Sequence, residues 1–176
     1  MKIYQPFFAV VVNVAKRNIN MKVEVGQKAP EFSLFDSEKT KVSLSDYKGK
    51  NVVILFFPQA FTSVCTTELC NVRDNISQYN NTNAQVFGIS VDSIFTLARF
   101  KDDQKLNFPL LSDFNKEASA AYYSLINDFV FDMKGVSKRA AFVIDKEGVV
   151  QYAEVLDKVT DLPDFDAIQQ TLQRLN

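Results

Sequence analysis

The run Val52-Val53-Ile54-Leu55-Phe56-Phe57 contains no polar residue. A strand made from it is apolar on both faces and belongs inside a sheet that helices cover on both sides. Pro58 ends the run, and from Cys65 onward Leu69, Val72 and Ile76 recur at helical spacing. A strand therefore feeds a short turn, and the turn opens a helix with a cysteine in its first turn. The unpaired backbone N–H groups there, and the positive end of the helix dipole, favour an anion. Thiolates form most readily in such places. Thr62 lies three residues before Cys65, and the only other cysteine, Cys70, lies five residues after it. The pattern points to thiolate chemistry at a strand-to-helix junction.

Composition removes most competing chemistries. The chain has no histidine, which excludes Ser-His-Asp hydrolases, Cys-His proteases and every metal site that uses imidazole. Two cysteines are too few for a structural zinc centre. They are also too close in sequence for a fold-stapling disulfide, because so short a loop constrains little of the unfolded chain. A net charge of −1 gives no reason to expect nucleic acid or an anionic membrane as partner. Redox or nucleophilic use of the thiols is what remains.

Residues 1–20 differ from the rest. Lys2 precedes Pro6-Phe7-Phe8-Ala9-Val10-Val11-Val12, and Lys16-Arg17 follow. The apolar run is too short to span a bilayer. It has the length of a signal-peptide core, but the positions before Ala15 make a poor cleavage site. Met21 would make a natural chain start. An appended tail, export or membrane tethering, and an added strand all stay open for 1–20, with the cytoplasm the expected location. Residues 21–176 are expected to form one domain, since 47% hydrophobic residues suffice for a core in a chain of this length.

Within that domain, 31–35 and 41–44 alternate weakly and are expected to pair as a hairpin, and 51–57 is the first central strand. A single helix is predicted over 65–79, a buried strand over 85–90, and a helix capped by Ser93 running to 105. The segment 108–113 reads as edge-like because of Pro109, and a helix is predicted over 116–123. Residues 140–145 and 149–155 flank Lys146-Glu147-Gly148, a hairpin signal. An amphipathic helix over 164–175 closes the chain. Strands separated by helices, then an antiparallel hairpin, then a helix give an α/β fold. It has a central mixed sheet flanked by helices on both faces, the order of the thioredoxin fold.

Acidifying a thiol is a limited lever. A drop in pKa from about 8.5 to about 6 raises the thiolate fraction at pH 7 roughly 30-fold. Intrinsic nucleophilicity falls by about one order of magnitude over the same range. A fast catalyst therefore needs groups that hold the electrophile and stabilise the leaving atom. The spacing Pro58-x3-Thr62-x2-Cys65 offers such groups. The hydroxyl of Thr62 can bond the thiolate or a substrate oxygen, and Pro58 can stiffen the strand exit and exclude water. In a purely structural reading, Thr62 is a helix cap and Pro58 a strand terminator.

This motif resembles the peroxiredoxin active-site signature, and the resemblance runs from Met21 to the C-terminus. Ala29-Pro30-Glu31-Phe32 is similar to that family's entry segment, and Phe108-Pro109-Leu110-Leu111-Ser112-Asp113 to a stretch characteristic of it. Arg139, just before Ala140-Ala141-Phe142-Val143-Ile144-Asp145, matches the family arginine. The resemblance implies Cys65 as peroxidatic nucleophile, passing through a sulfenic acid. Thr62 and Arg139 would orient the peroxide and stabilise the departing oxygen, and Pro58 would shield the site. Glu68 is either a helix-surface acid or a residue that positions Arg139. No metal or organic cofactor is implied.

Two subfamilies compete. Phe56-Phe57-Pro58-x-Ala60-Phe61-Thr62 is similar to the alkyl hydroperoxide reductase E type, which works with one essential cysteine. Cys65-Thr66-Thr67-Glu68-Leu69-Cys70 is similar to the bacterioferritin comigratory protein (peroxiredoxin Q) type, whose resolving cysteine sits five residues on. In a regular helix those two Cα atoms stand roughly 8–9 Å apart, beyond the ~7 Å limit for a disulfide. A bond between them needs the helix's first turns to unwind, and without it Cys70 is a small buried apolar residue.

The resemblance further implies a peroxide substrate, a thioredoxin or glutaredoxin-like reductant, and a monomer or homodimer. Phe57, Phe61 and residues 129–131 are candidates for an apolar mouth. The rivals are a thioredoxin-like dithiol oxidoreductase, which would need C-x-x-C, and a non-catalytic thiol redox sensor.

Overall fold

The apolar run takes the centre of the structure. In a computed structural model that describes residues 22–176, β3 (Asn51–Phe56) is buried at every position. Ahead of it, β1 (Ser33–Asp36) and β2 (Lys41–Ser43) form the expected hairpin, joined to β3 by the 3₁₀ turn Leu44–Tyr47. After it come α1 (Ser63–Asp74), α2 (Ile76–Asn81), β4 (Ala84–Ser90), α3 (Ile94–Gln104), β5 (Leu110–Ser112) and α4 (Glu117–Ala121). A small separate hairpin follows, β6 (Leu125–Asp128) with β7 (Lys134–Ser137), and then β8 (Ala140–Ile144), β9 (Val150–Val155) and α5 (Phe165–Arg174). The expectations for 1–20 lie outside the described residues. Among the described residues no helix is long and apolar enough to cross a membrane.

Among the described residues, seven strands form one sheet in the order β2-β1-β5-β4-β3-β8-β9. The pairs β3–β4 and β4–β5 are parallel, while β8 and β9 run antiparallel on the other side of β3. Because side chains alternate along a strand, β3 feeds two cores. Val53, Leu55 and Phe57 pack with Leu69 and Val72 of α1, Leu97 and Phe100 of α3, and Ile168 and Leu172 of α5. Val52, Ile54 and Phe56 pack on the opposite face with Phe87, Phe142, Ala118 and Tyr122. This mixed sheet with helices on both faces is the thioredoxin fold.

Three expectations need correction, and one observed element was not expected. The helix predicted over 65–79 is broken at Asn75, which leaves helical torsion at φ −110° and ψ 15°. The Asn75 side-chain amide donates to the Asn71 carbonyl at 2.8 Å, which also accepts from the Asn75 backbone amide at 3.2 Å, so a side chain shares the last carbonyl of the backbone ladder. Residues 110–112 form an interior strand between β4 and β1. Pro109 stands just outside it, where its missing N–H costs the ladder nothing, and its carbonyl accepts from the Gly88 amide at 3.1 Å. The helix predicted over 116–123 is confined to Glu117–Ala121, because Lys116 and Tyr123 take left-handed torsions, φ 64° and 52°. The hairpin β6–β7 has no counterpart in the expected elements.

Other signals are met as read. Ser93 caps α3 by accepting from the Thr96 amide. Gly148, at φ 78°, turns β8 into β9, and the Asp145 carboxylate takes the amides of Glu147 and Val149.

Candidate active site

Sheet register assembles the site. Phe56 of β3 pairs with Ala140 of β8, so Arg139 lies beside the end of β3, where the chain turns into α1. Phe57 donates its amide to the Ile89 carbonyl at 3.0 Å, and Pro58 is buried. The Ala60 amide donates to Asp92 Oδ2 at 2.8 Å. Phe61 takes φ 63°, a left-handed conformation that a bulky residue adopts only under strain. Its ring, half-exposed, lies against Phe100 with centroids 5.0 Å apart.

Thr62 stands at the N-cap of α1, yet its hydroxyl caps no amide. It donates to the Gln59 carbonyl at 3.0 Å. With its proton so placed, the hydroxyl presents lone pairs rather than a donor to the space before the helix.

Cys65 is the third residue of α1 and is 1% exposed. Arg139 reaches it from the connection between β7 and β8 and is itself 1% exposed. Its Nη2 donates to Cys65 Sγ at 3.4 Å and to the Val159 carbonyl at 3.0 Å. Its Nη1 donates to Glu68 Oε2. Glu68 lies three residues beyond Cys65 on the same face of α1 and is wholly buried. Sulfur, guanidinium and carboxylate thus form one dry cluster. Arg139 Nε and Glu68 Oε1 have no hydrogen-bond partner within it. The guanidinium is the fixed charge of the group, since arginine does not deprotonate in proteins.

Burial pushes the Glu68 carboxyl up from 4.5 to about 7, against the pull of the Arg139 charge. The native state therefore keeps a proton that the unfolded chain releases above pH 4.5. The stability linked to that proton is full below 4.5 and is lost as pH rises to about 7. The effect is on the order of 3 kcal/mol across the window. The absence of histidine leaves few other groups to titrate there. Urea denaturation between pH 5 and 7.5 is expected to show the wild type losing stability, and Glu68→Gln losing the slope.

Cys70 is not part of the cluster. It is half-buried, with its thiol facing Gln104 Oε1 at 3.7 Å. The unbroken helix Ser63–Asp74 holds it about 8–9 Å from Cys65 between Cα atoms. Both cysteines are free thiols.

Of the aromatic candidates for a mouth, Phe57 is fully buried and belongs to the core, while Phe61 is 52% and Phe131 92% exposed. The loop between β6 and β7 meets the site loop through Gln59 Nε2, which donates to Met133 Sδ at 3.4 Å. Two contributors escaped the sequence reading. The Val159 carbonyl is a backbone group and leaves no mark in a sequence. Asp92 had a usable signal, because it lies two residues past a strand whose C-terminal end borders the cysteine turn.

A family model, described as AhpC/TSA family, matches residues 25–153. The chain is 45% identical over 142 residues to the 2-Cys peroxiredoxin BAS1, chloroplastic, of Spinacia oleracea, a match that takes in 74% of this chain and 52% of that one. It thus spans about half the length of that relative. Among solved structures, a peroxiredoxin-like protein from Aquifex aeolicus superposes with a TM-score of 0.80 at 28% identity, over 88% of this chain and 89% of that one. The peroxidoxin BcpB of Mycobacterium tuberculosis superposes with a TM-score of 0.77 at 27% identity, over 88% and 99%.

Proposed function

The chain belongs to the AhpC/TSA family, and from that premise we propose that it is a thiol-dependent peroxidase acting on hydrogen peroxide and organic hydroperoxides. The observation that carries this is the buried Arg139 guanidinium donating to Cys65 Sγ at 3.4 Å, at the N-terminus of a helix.

The Cys65 thiolate attacks the nearer peroxide oxygen. A sulfur–oxygen bond forms, the O–O bond breaks, and the sulfur gives up two electrons as it becomes a sulfenic acid. The other oxygen leaves as hydroxide or alkoxide and takes a proton to become water or an alcohol. Arg139 offsets the charge that moves from sulfur to that oxygen. Thr62, its own proton committed to Gln59, accepts the peroxide O–H and so orients it. Pro58 closes the buried side of the turn, and Glu68 holds Arg139 in place.

Cys70 resolves the sulfenic acid once the first turns of α1 open, an inexpensive local unfolding near a helix end. Its thiolate attacks the Cys65 sulfur, an S–S bond forms and the S–O bond breaks, and the oxygen leaves as hydroxide and takes a proton to become water. A thioredoxin or glutaredoxin-like protein then reduces the disulfide. Organisation as a monomer or homodimer, with no nucleic-acid partner, completes the reading.

Steady consumption of hydrogen peroxide in the presence of thioredoxin and its reductase is the test. A single turnover that no reductant can renew would instead indicate a redox sensor. Cys70→Ser is expected to leave the first oxidation of Cys65 unchanged and to slow thioredoxin-supported turnover about tenfold or more, since resolution then falls to an external thiol. Rapid-mixing and steady-state assays on the same variant separate the two effects.

A further inference from the structure

The turn between β3 and α1 carries Pro58 and Thr62 and aims the N-terminus of α1, yet at Phe61 it holds a left-handed backbone, φ 63°. A strained residue persists only where its surroundings over-determine it. The determining contacts converge on Asp92. Its Oδ2 accepts from the Ala60 amide at 2.8 Å and from the Ser90 hydroxyl at 2.8 Å. The Asp92 amide donates back to Ser90 Oγ at 3.2 Å. Its carbonyl accepts from the Ser112 hydroxyl at 2.6 Å, and the Asp113 amide donates to the Ser90 carbonyl at 2.7 Å. The ends of β4 and β5 thus fix Asp92, and Asp92 fixes the turn of β3.

We propose that Asp92 is a positioning residue for peroxide reduction. It is a bracket that holds the turn at Ala60 so that the Thr62 hydroxyl and the first-turn amides of α1 meet the peroxide in register with Cys65 Sγ. This rests on the peroxidase reading of the site. Asp92 acts through Ala60 and touches no reacting atom. Its function is set by where its oxygen sits and not by its charge, because the group it holds is a neutral backbone amide.

Two variants separate position from charge. Asp92→Asn keeps an acceptor oxygen in place and removes the charge, and Asp92→Glu keeps the charge and moves the oxygen by one methylene. The kcat/KM for hydrogen peroxide is expected to stay within about threefold of wild type in Asp92→Asn. In Asp92→Glu it is expected to fall roughly 10- to 100-fold, the cost of misplacing a reacting geometry by about 1 Å. Alkylation of Cys65, 1% exposed, by iodoacetamide requires the site to open and the thiol to ionise but not a peroxide to be oriented, and should stay within about threefold in both. A merely structural role would lower both reactions together.

Equal peroxide rates in Asp92→Glu and wild type would overturn the proposal. So would a loss in Asp92→Asn as large as in Asp92→Glu, or parallel losses of alkylation. A wild type inert to peroxide would bring down the peroxidase reading itself, and is distinguishable because the loss would precede any substitution. Should Asp92→Glu fail to fold, Ser90→Ala, which frees Oδ2 from one donor, carries the same comparison. It is expected to slow peroxide reduction and spare alkylation, and equal effects on the two would contradict the bracket.

Discussion

Cys65→Ser is expected to abolish peroxide reduction, with a loss of at least about a thousandfold. A hydroxyl at the head of α1 is scarcely ionised near neutral pH, and its oxygen cannot take up a second oxygen as sulfur does in forming a sulfenic acid. The remaining thiol, Cys70, faces Gln104 while Arg139 donates to Cys65, Glu68 and Val159, so it inherits none of the machinery. The substitution is nearly isosteric at a site 1% exposed, and the hydroxyl can accept from Arg139 Nη2. Thermal unfolding should therefore change little. Peroxide consumption measured with excess reductant checks the first part of this expectation, and calorimetry the second.

Arg139→Met is expected to produce the second-largest effect, a loss of roughly 10²–10³-fold in kcat/KM for peroxide. Removal of one preorganised donor from a developing negative charge costs that much. Unlike Cys65→Ser, it should also destabilise the fold. Glu68 Oε2, Cys65 Sγ and the Val159 carbonyl all lose a donor at once, and a buried carboxylate is left without its cation. Breaking such a pair costs about 3–5 kcal/mol while the carboxyl is charged.

Because burial already places the Glu68 carboxyl at about 7, the penalty should shrink as pH falls and Glu68 takes up its proton. Arg139→Met is therefore expected to be much closer to wild-type stability at pH 5 than at pH 8. The double variant Arg139→Met/Glu68→Gln should recover stability at pH 8 but not the rate. Arg139→Lys keeps one charge and loses the planar fork that serves three acceptors, so it should fall between wild type and Arg139→Met in rate. Urea titrations at the two pH values and peroxide kinetics on all four proteins test the set.

What was legible in the sequence is what local pattern encodes. The apolar run 52–57 could only be an interior strand, and it became one. Ser93 before α3 and Gly148 between β8 and β9 carry local chemistry that tertiary contacts had no reason to override. Pro58, Thr62 and Cys65 stand out as candidates because they fall within eight residues across one strand-to-helix junction. Arg139 was recognisable because the family pattern supplies it, although seven strands and helices separate it from Cys65 in sequence, a gap closed by the β3–β8 register.

The misses share a different origin. The helix break at Asn75 coincides with a side-chain amide that shares the Asn71 carbonyl with the backbone, which spacing does not report. The segment β6–β7 has no alternating apolar pattern, and its turn is bent by left-handed torsions at Phe131 and Asp132, φ 57° at each. Pro109 looked like an edge marker because a proline weakens a strand only from within it, and residue-level reading could not tell within from just before. The Val159 carbonyl reaches the site by tertiary placement alone, and Asp92 is marked only by its place just past the C-terminal end of β4.

The central claim is that Cys65 is the atom that peroxide oxidises, and peptide-resolved mass spectrometry after one equivalent of hydrogen peroxide tests it most directly. Wild type and Cys70→Ala should be treated side by side with a sulfenic-acid trap. Wild type is expected to lose two hydrogens as Cys65 joins Cys70. Cys70→Ala should gain one oxygen, or the trap, on the Cys65 peptide alone. Oxidation that maps to Cys70 while Cys65 stays a free thiol, or a Cys65 unmodified in both proteins, would contradict the account.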